Sequence, residues 1–328
     1  MNIGFEKIKE LLHGAVYTEE VDGLLGIHRF TKEQEEAYKP YNYDFYNKTF
    51  GTAGVRLSFD TNSTSLSLAA DMRSASSRRL FSFDVYVNGA LIKTARGNVE
   101  EEPTFFSFDA ELGEGKKRVD IYFPWSVSAR LRSFSVDDGA ELTGVSRPHK
   151  MICFGDSITH GYDAINTSFS YASRLADALC ADAVNKGIGG EVFFPTLAKL
   201  KDDIEPDYIT VAYGTNDWSH IDSEEEFKEK CGGFYEALSA NYPNAKIFAI
   251  TPIWRGGYEN KNERCTDFFR IGEMISEVAA ELDNVTVIDG FDLVPHDPKC
   301  FIKDVLHPND LGFRHYANNL YAEIKKYI

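Results

Sequence analysis

Long apolar segments and paired cysteines are missing from this sequence. No stretch approaches the roughly 18 consecutive apolar residues of a membrane-spanning helix. The first ten residues are charged and lack the apolar core of a secretory signal. The cysteines are odd in number, widely spaced and without a CxxC pair: Cys153, Cys180, Cys231, Cys265 and Cys300. This pattern predicts a cytoplasmic protein with reduced thiols.

An excess of basic residues is also missing. The chain has 35 Lys and Arg against 51 Asp and Glu, which gives a net charge of −16. Nucleic-acid binding needs a concentrated basic face, so we expect no nucleic-acid partner, and an anionic membrane surface is disfavoured for the same reason. A small neutral or cationic substrate is compatible with this charge.

What the sequence does contain is enough apolar material for a substantial core. Its 328 residues are 43% hydrophobic and 26% charged, as in ordinary globular proteins. This length indicates one large domain or two ordinary ones.

The first part of the chain has the pattern of β-structure from about residue 16 to residue 142. Residues 81–87 alternate between apolar and polar, Asn88-Gly89 follows, and residues 90–94 continue, which predicts a hairpin because both turn residues accept positive φ. Two helices are expected, one within residues 1–15 and one over residues 31–39. Further strands are predicted at 55–59, 65–68, 104–108, 118–123 and 130–136. Many short strands with little helix predict a β-sandwich of jelly-roll-like type.

The pattern changes between residues 137 and 150, and we place a domain boundary at residue 147, giving domains 1–147 and 148–328. Strands and amphipathic helices then alternate, which predicts a parallel sheet covered on both faces. The predicted strands are 151–154, 208–212, 247–250 and 285–288. The helices are indicated by apolar faces within 169–179, 227–238, 268–282 and 311–324.

Ser157 is the first candidate for chemistry. It follows the apolar residues 151–154 and a Gly155-Asp156 turn, in the sequence Gly-Asp-Ser-Ile-Thr. A serine delivered by a buried strand to the carboxyl edge of a sheet lies where open α/β sheets bind ligands. We therefore treat Ser157 as a candidate nucleophile.

A serine nucleophile needs a base, a group that orients the base, and donors for an oxyanion. Asp304 and His307 lie three residues apart in Asp-Val-Leu-His, a spacing that lets the carboxylate reach one imidazole nitrogen while the other faces Ser157. Gly190 offers an unobstructed backbone N–H, and Asn216 in Gly-Thr-Asn-Asp offers a side-chain amide.

These segments together resemble the four sequence blocks of SGNH (GDSL-type) hydrolases, and they occur in that family's order over about the last 180 residues. The resemblance implies a three-layer α/β/α, flavodoxin-like domain. It also implies a triad of Ser157, His307 and Asp304, and an oxyanion hole formed by the Ser157 N–H, Gly190 and Asn216. Gly189 remains open as the alternative to Gly190. No metal or cofactor is implied.

A β-sandwich ahead of such a domain resembles the two-domain carbohydrate esterases that remove acetyl groups from sugar hydroxyls. The predicted function is therefore hydrolysis of short-chain, acetyl-type esters on a small-molecule or oligosaccharide substrate. The alternatives are a lysophospholipase or thioesterase-type acylhydrolase, and a carbohydrate-binding protein that uses the hydrolase domain as a scaffold. A homo-oligomer is compatible with the sequence.

Three residues after predicted strand ends are candidates for the substrate pocket. Trp218 follows Asn-Asp, and Trp254 and Arg255 end the segment Thr-Pro-Ile-Trp-Arg. Each tryptophan has an alternative role in packing. His296, Asp297 and His315 have no metal-ligand spacing and are expected to be solvated polar residues.

Overall fold

The alternating apolar residues of the first half of the chain form two antiparallel sheets. We describe them from a computed structural model that covers residues 1–220, 222–260 and 267–328, so Cys265 lies outside the described residues. One sheet has the order β1-β4-β9-β6-β7, with β11 paired to β4, and the other has the order β2-β3-β10-β5-β8. The first sheet comprises β1 (Leu12–His13), β4 (Arg56–Thr61), β6 (Leu80–Val87), β7 (Ala90–Asn98), β9 (Lys117–Tyr122) and β11 (Leu142–Gly144). The second comprises β2 (Tyr17–Val21), β3 (Leu24–His28), β5 (Ser65–Ser74), β8 (Thr104–Glu111) and β10 (Val127–Val136).

The predicted hairpin is confirmed. Asn88 and Gly89 have φ angles of 50° and 79°, and they connect β6 to β7. The two sheets bury one apolar side each in a shared core, in which Phe59, Phe83 and Phe134 are fully inaccessible to solvent. The first half of the chain is therefore a β-sandwich, as predicted. That this sandwich is of the jelly-roll-like type stays a prediction.

The first half also contains three helices, of which the first packs in the sandwich core through Ile8 and Leu11 and the other two pack outside it. Besides α1 (Phe5–Leu11), it contains α2 (Lys32–Tyr41) and α3 (Tyr43–Thr49). Thr31 starts α2 with a capping box, in which its hydroxyl accepts from Gln34 N–H while the Gln34 side chain accepts from Thr31 N–H. Phe30 and Tyr38 are buried in the core of the second half of the chain. The domain boundary at residue 147 stays a prediction. The segment that contains Phe30 and α2 precedes this boundary in the chain but packs against residues that follow it.

The second half contains a five-stranded parallel sheet with the order β13-β12-β14-β15-β16. This is the doubly wound order 2-1-3-4-5 of flavodoxin-like folds, in which ligands bind where the strand order reverses. Four strands were predicted and are confirmed, whereas β13 was missed because Asp182 interrupts its apolar pattern. The strands are β12 (His149–Gly155), β13 (Ala181–Asn185), β14 (Tyr208–Ala212), β15 (Lys246–Ile250) and β16 (Val285–Ile288).

Helices cover both faces of this sheet. Alternate residues of β12 enter two cores: Ile152 and Phe154 pack in one, and Met151 and Cys153 in the other. The four predicted helices are confirmed as α5 (Tyr171–Ala178), α8 (Glu224–Asn241), α9 (Phe268–Ala279) and α10 (Asp310–Ile324). The shorter ones are α4 (Ser157–His160), α6 (Pro195–Lys199) and α7 (Asp217–His220), with 3-10 turns at Thr167–Phe169 and Pro298–Cys300. The result is the predicted three-layer α/β/α arrangement, and among the described residues no helix is both long and apolar enough to cross a membrane.

Candidate active site

Ser157 begins the short helix α4, directly after the central strand β12. A Cβ on Gly155 would lie 2.1 Å from Thr159 Oγ1, so the chain needs glycine here to make the close turn. Asp156 stabilises the turn by accepting a 2.8 Å hydrogen bond from Ile158 N–H, and burial raises the pKa of its carboxyl to about 7. Ser157 itself is buried, with 6% of its surface exposed.

The Asp304–His307 turn lies against this serine. His307 Nε2 is 2.9 Å from Ser157 Oγ, and His307 Nδ1 is 2.6 Å from Asp304 Oδ2. The other carboxylate oxygen of Asp304 accepts from the backbone N–H groups of Leu306 and His307 at 2.8 and 3.0 Å. Partial burial acts to raise the pKa of Asp304, but the hydrogen bonds from His307 and the two backbone groups outweigh it and hold that pKa below its usual value. The turn therefore presents one ionised carboxylate to the outer nitrogen of the imidazole.

The loop after β13 contains Gly190 and is tied to α4. Asn185 accepts from Gly187 N–H at 2.8 Å and donates to the Thr159 carbonyl at 2.7 Å. The Gly189 carbonyl accepts from Lys48 Nζ at 2.8 Å, so the N–H of Gly190, on the opposite side of that trans peptide, faces away from the lysine. This N–H bonds to no acceptor in the described part of the chain.

The two candidate glycines differ in the space around them. A Cβ on Gly189 would lie 2.5 Å from the Tyr162 ring, whereas on Gly190 it would lie 3.5 Å from Phe45, with the backbone at φ +89°. Gly189 thus permits Tyr162 to approach, and Gly190 permits a left-handed turn. The choice between them as oxyanion donor stays a prediction, and the geometry favours Gly190.

Asn216 lies in the loop after β14, beside the Gly190 loop. Its Nδ2 donates a 2.9 Å hydrogen bond to the carbonyl of Glu191. The neighbouring Asp217 joins both loops, because it accepts from Phe193 N–H at 3.0 Å and from Gly214 N–H at 2.9 Å. Gly190 and Asn216, two of the predicted oxyanion donors, therefore lie on joined loops at the carboxyl ends of β13 and β14.

A second carboxylate lies beside His307 and was not found from the sequence. Asp163 Oδ2 is 3.8 Å from His307 Nδ1. Arg78, from the sandwich, donates two 2.8 Å hydrogen bonds to Asp163, and this contact raises the arginine's pKa. The Tyr162 ring stacks on His307 with a centroid distance of 5.8 Å, and the Arg78 guanidinium lies 5.4 Å from the centre of that ring.

Asp163, Asp304 and His307 also form the one group in the described part of the chain with the spacing of metal ligands, their ligand atoms lying within 4.8 Å of one another. Both carboxylate oxygens of Asp163 already accept from Arg78, and Asp304 already accepts from the imidazole. These pairings favour orientation of His307 over coordination of a cation.

The three predicted pocket residues occupy different positions. Trp218 is 7% exposed, with the Arg255 guanidinium 5.3 Å from its ring centre. Trp254 stacks on His296 at 5.5 Å and is tilted against Phe301. Their pocket roles stay predictions.

Arg255 lies in a loop that is bonded to the Asp304–His307 turn. The next residue, Gly256, donates a 2.7 Å hydrogen bond to the carbonyl of Val305, inside the Asp304–His307 turn. Burial lowers the pKa of Arg255, against the attraction of Asp156 and Asp304. This loop therefore supports the turn that holds His307.

The chain resembles known proteins in sequence and in fold. Residues 153–315 match the model of the GDSL-like lipase/acylhydrolase family. No curated protein matches the sequence.

Solved structures match over nearly the whole chain. The salicylyl-acyltransferase SsfX3 from a tetracycline biosynthetic pathway is 22% identical, with a TM-score of 0.85 over 96% of this chain and 94% of that one. A family two carbohydrate esterase from Cellvibrio japonicus is 18% identical, with a TM-score of 0.67 over 99% and 97%. An acetyl xylan esterase from the rumen bacterium Butyrivibrio proteoclasticus is 19% identical, with a TM-score of 0.62 over 84% and 90%. These similarities establish a shared two-part fold, and they confirm the predicted resemblance to carbohydrate esterases.

Proposed function

Because residues 153–315 belong to the GDSL-like lipase/acylhydrolase family, a family of ester-hydrolysing enzymes, we propose that this protein is a serine esterase that removes acetyl or similarly short acyl groups from carbohydrate hydroxyls. The observation that carries the proposal is the chain of hydrogen bonds from Asp304 through His307 to Ser157, with lengths of 2.6 and 2.9 Å. A nucleophile bonded to a base, itself oriented by a carboxylate, is the arrangement that acyl transfer requires.

The proposed reaction has two steps. His307 Nε2 accepts the Ser157 proton as Oγ attacks the ester carbonyl. The tetrahedral oxyanion accepts hydrogen bonds from the N–H groups of Ser157 and Gly190 and from the Asn216 amide. His307 then donates its proton to the leaving alcohol, and an acyl-serine remains. Water, deprotonated by His307, attacks the acyl-serine, releases the carboxylic acid and restores the Ser157 hydroxyl.

The carbohydrate part of the proposal has separate support. The chain shares its two-part fold with a family two carbohydrate esterase and an acetyl xylan esterase. In this chain the sandwich reaches the candidate site itself through Arg78 and Asp163. A sandwich in that position is suited to contact an alcohol larger than the acyl group.

The test is turnover of short-chain nitrophenyl esters and acetylated oligosaccharides by wild type and Ser157→Ala. We expect the variant to lose at least about 10⁴-fold in kcat. Ser219→Ala, which changes an exposed serine on α7, is the matched control and keeps wild-type activity. A fluorophosphonate adduct located by mass spectrometry is expected on Ser157. Equal activity in wild type and Ser157→Ala, or labelling of another residue, rejects the proposal.

The same assays separate the alternatives. Preference for long acyl chains over acetyl would support a lysophospholipase, and preference for thioesters a thioesterase. Glycan binding by the full chain without any turnover would support a carbohydrate-binding protein.

A further inference from the structure

A cavity of about 470 Å³ opens between the sandwich and the α/β/α part, and both contribute its walls. From the sandwich come Leu80 and Arg96, among others, and from the second half come Asp163, Ile165 and Ile302. The cavity borders the candidate site because Asp163 is the carboxylate 3.8 Å from His307 Nδ1. A molecule bound here therefore lies beside Asp163, close to the His307 ring.

Part of the cavity wall is apolar and open to solvent. Leu80 is 72% exposed and Ile165 is 63% exposed, and Ile302 is half-buried beside them. Single exposed apolar residues are ordinary on protein surfaces. Here two of them converge on one cavity that borders the candidate site, and a ligand that covers them removes apolar surface from water, which favours binding. The cavity therefore suits a ligand with an apolar face.

The charged part of the wall is cationic. Arg78 is already paired with Asp163, but Arg79 and Arg96 form no ion pair among the residues that the structure describes. Arg96 is held in place by a 2.6 Å hydrogen bond from Nη2 to Asn166 Oδ1. Asp310 interacts with Arg96 electrostatically, while its own Oδ1 accepts from Ile165 N–H at 3.0 Å.

The surplus of positive charge is notable in a chain of net charge −16. Both arginines are exposed, so they are available to a ligand. The charge of this cavity is thus opposite to the net charge of the protein, with which a neutral or cationic substrate is compatible.

We propose that this cavity binds the alcohol part of the ester, and that this alcohol combines an apolar face with an anionic group held by Arg79 and Arg96. The inference rests on the proposed function and narrows its substrate class. His307 returns its proton to the leaving alcohol, so the alcohol departs beside the imidazole ring, and the cavity reaches that ring through Asp163. An acetylated sugar acid has this chemistry, since the C–H face of the ring is apolar and the acid group is anionic.

The test compares two acetate esters that differ in charge, 3-acetoxybenzoate and its neutral amide 3-acetoxybenzamide. For each protein the readout is the ratio of kcat/KM for the anionic ester to kcat/KM for the neutral one, which cancels changes common to both. We expect Arg79→Ala and Arg96→Ala each to lower this ratio about three-fold, and the double variant roughly ten-fold. Added salt lowers the wild-type ratio toward that of the double variant.

Two further variants separate charge from folding. Arg73→Ala removes an exposed arginine of the same sandwich that does not line the cavity, and it leaves the ratio at the wild-type value. Arg96→Lys keeps the positive charge but loses the contact with Asn166. We expect its ratio of kcat/KM values to stay close to that of wild type. An equal ratio in wild type and the double variant overturns the inference, whatever the absolute rates. The proposed function has failed instead if Ser157→Ala hydrolyses both esters as fast as wild type.

Discussion

Arg78 and Asp163 are joined by two hydrogen bonds of 2.8 Å each, although they lie 85 residues apart in the chain. Asp163 is in turn 3.8 Å from His307 Nδ1, on the same side of the imidazole as Asp304. The sandwich therefore contributes directly to the surroundings of the candidate base. His307 has two carboxylates within reach of one nitrogen, and only Asp304 is close enough for a hydrogen bond.

This arrangement predicts that Asp304→Asn retains part of the activity. In a serine protease triad, the corresponding change lowers kcat about 10⁴-fold. Here we expect a loss of about 10²-fold, because Asp163 remains to stabilise the imidazolium. Asp163→Asn alone should cost less than ten-fold. The measurement is kcat for both single variants and the double variant on one acetyl ester.

The double variant is the decisive member of that set. If Asp163 substitutes for Asp304, adding Asp163→Asn to the Asp304→Asn variant lowers kcat by at least about a further ten-fold. This loss is larger than the loss that Asp163→Asn causes in the wild-type enzyme. A double variant no slower than Asp304→Asn would show that Asp163 does not act on His307.

Asn216 provides a second prediction, about the oxyanion. Its Nδ2 is anchored by the Glu191 carbonyl at 2.9 Å, which leaves its second amide hydrogen for a ligand. Asn216→Asp has nearly the same shape but no N–H donor. We expect kcat to fall about 10²–10³-fold with little change in KM, as for loss of one oxyanion donor.

The control for that experiment is Asn98→Asp, an exposed change at the end of β7. It should keep the wild-type kcat. An Asn216→Asp enzyme with unchanged kcat and raised KM would mean that the amide binds the substrate in its ground state instead.

A third prediction concerns pH and stability, and it follows from Glu191. This buried side chain accepts hydrogen bonds from the hydroxyls of Tyr38 and Tyr213, yet burial outweighs them and raises its pKa to about 8. The folded pKa lies above the unfolded value near 4.5, so the folded state binds more protons in between. The contribution of protonated Glu191 to the free energy of unfolding is therefore fully present below about pH 4.5, and it is lost as the pH rises to about 8. Burial acts in the same direction on Asp156 and Asp217, with pKa values of about 7 and about 6.

The measurement is the free energy of unfolding by urea at pH 5, 7 and 9. Wild type should become less stable across this range, by a few kcal/mol in order of magnitude. Glu191→Gln keeps the shape and removes the ionisation, so its stability should depend less on pH. Glu114→Gln, an exposed change, should follow wild type. Parallel curves for wild type and Glu191→Gln would contradict the assignment.

Much of this architecture could be predicted because its signals are local. The Asn88-Gly89 hairpin, the helix over residues 31–39 and four of the five parallel strands each follow from a few adjacent residues. The candidate triad was also predictable, since Asp304 and His307 share one turn and Ser157 follows the turn at the end of one strand.

The missed features depend on contacts between distant parts of the chain. Strand β13 was overlooked because Asp182 looks like a loop residue, but the structure pairs it with Arg56 and His13. Arg78 has no local pattern that would connect it to Asp163. The cationic cavity at Arg79 and Arg96 could not be predicted either, because the net charge of the whole chain does not show where charges of one sign collect.

The last prediction concerns the segment that crosses the proposed boundary. Arg29 is fully buried and donates to the carbonyls of Lys48, Gly51, Asn185 and Gly187. Phe30 lies in the core beneath the parallel sheet. We therefore expect the fragment 148–328 to lack a cooperative unfolding transition, although it contains every residue of the candidate triad.

The energetic reason is the size of the missing core. Truncating one buried aromatic residue costs about 3–5 kcal/mol, against a total stability of about 5–15 kcal/mol for a typical protein. The fragment loses both Phe30 and Tyr38, together with the arginine that holds the loop leading to Gly190. In the full chain, Phe30→Ala should lower the free energy of unfolding by about 3–5 kcal/mol, whereas Leu80→Ala, at an exposed position, should change it by less than about 1 kcal/mol. A fragment 148–328 that melts as sharply as the full chain would mean that the parallel sheet folds without this segment.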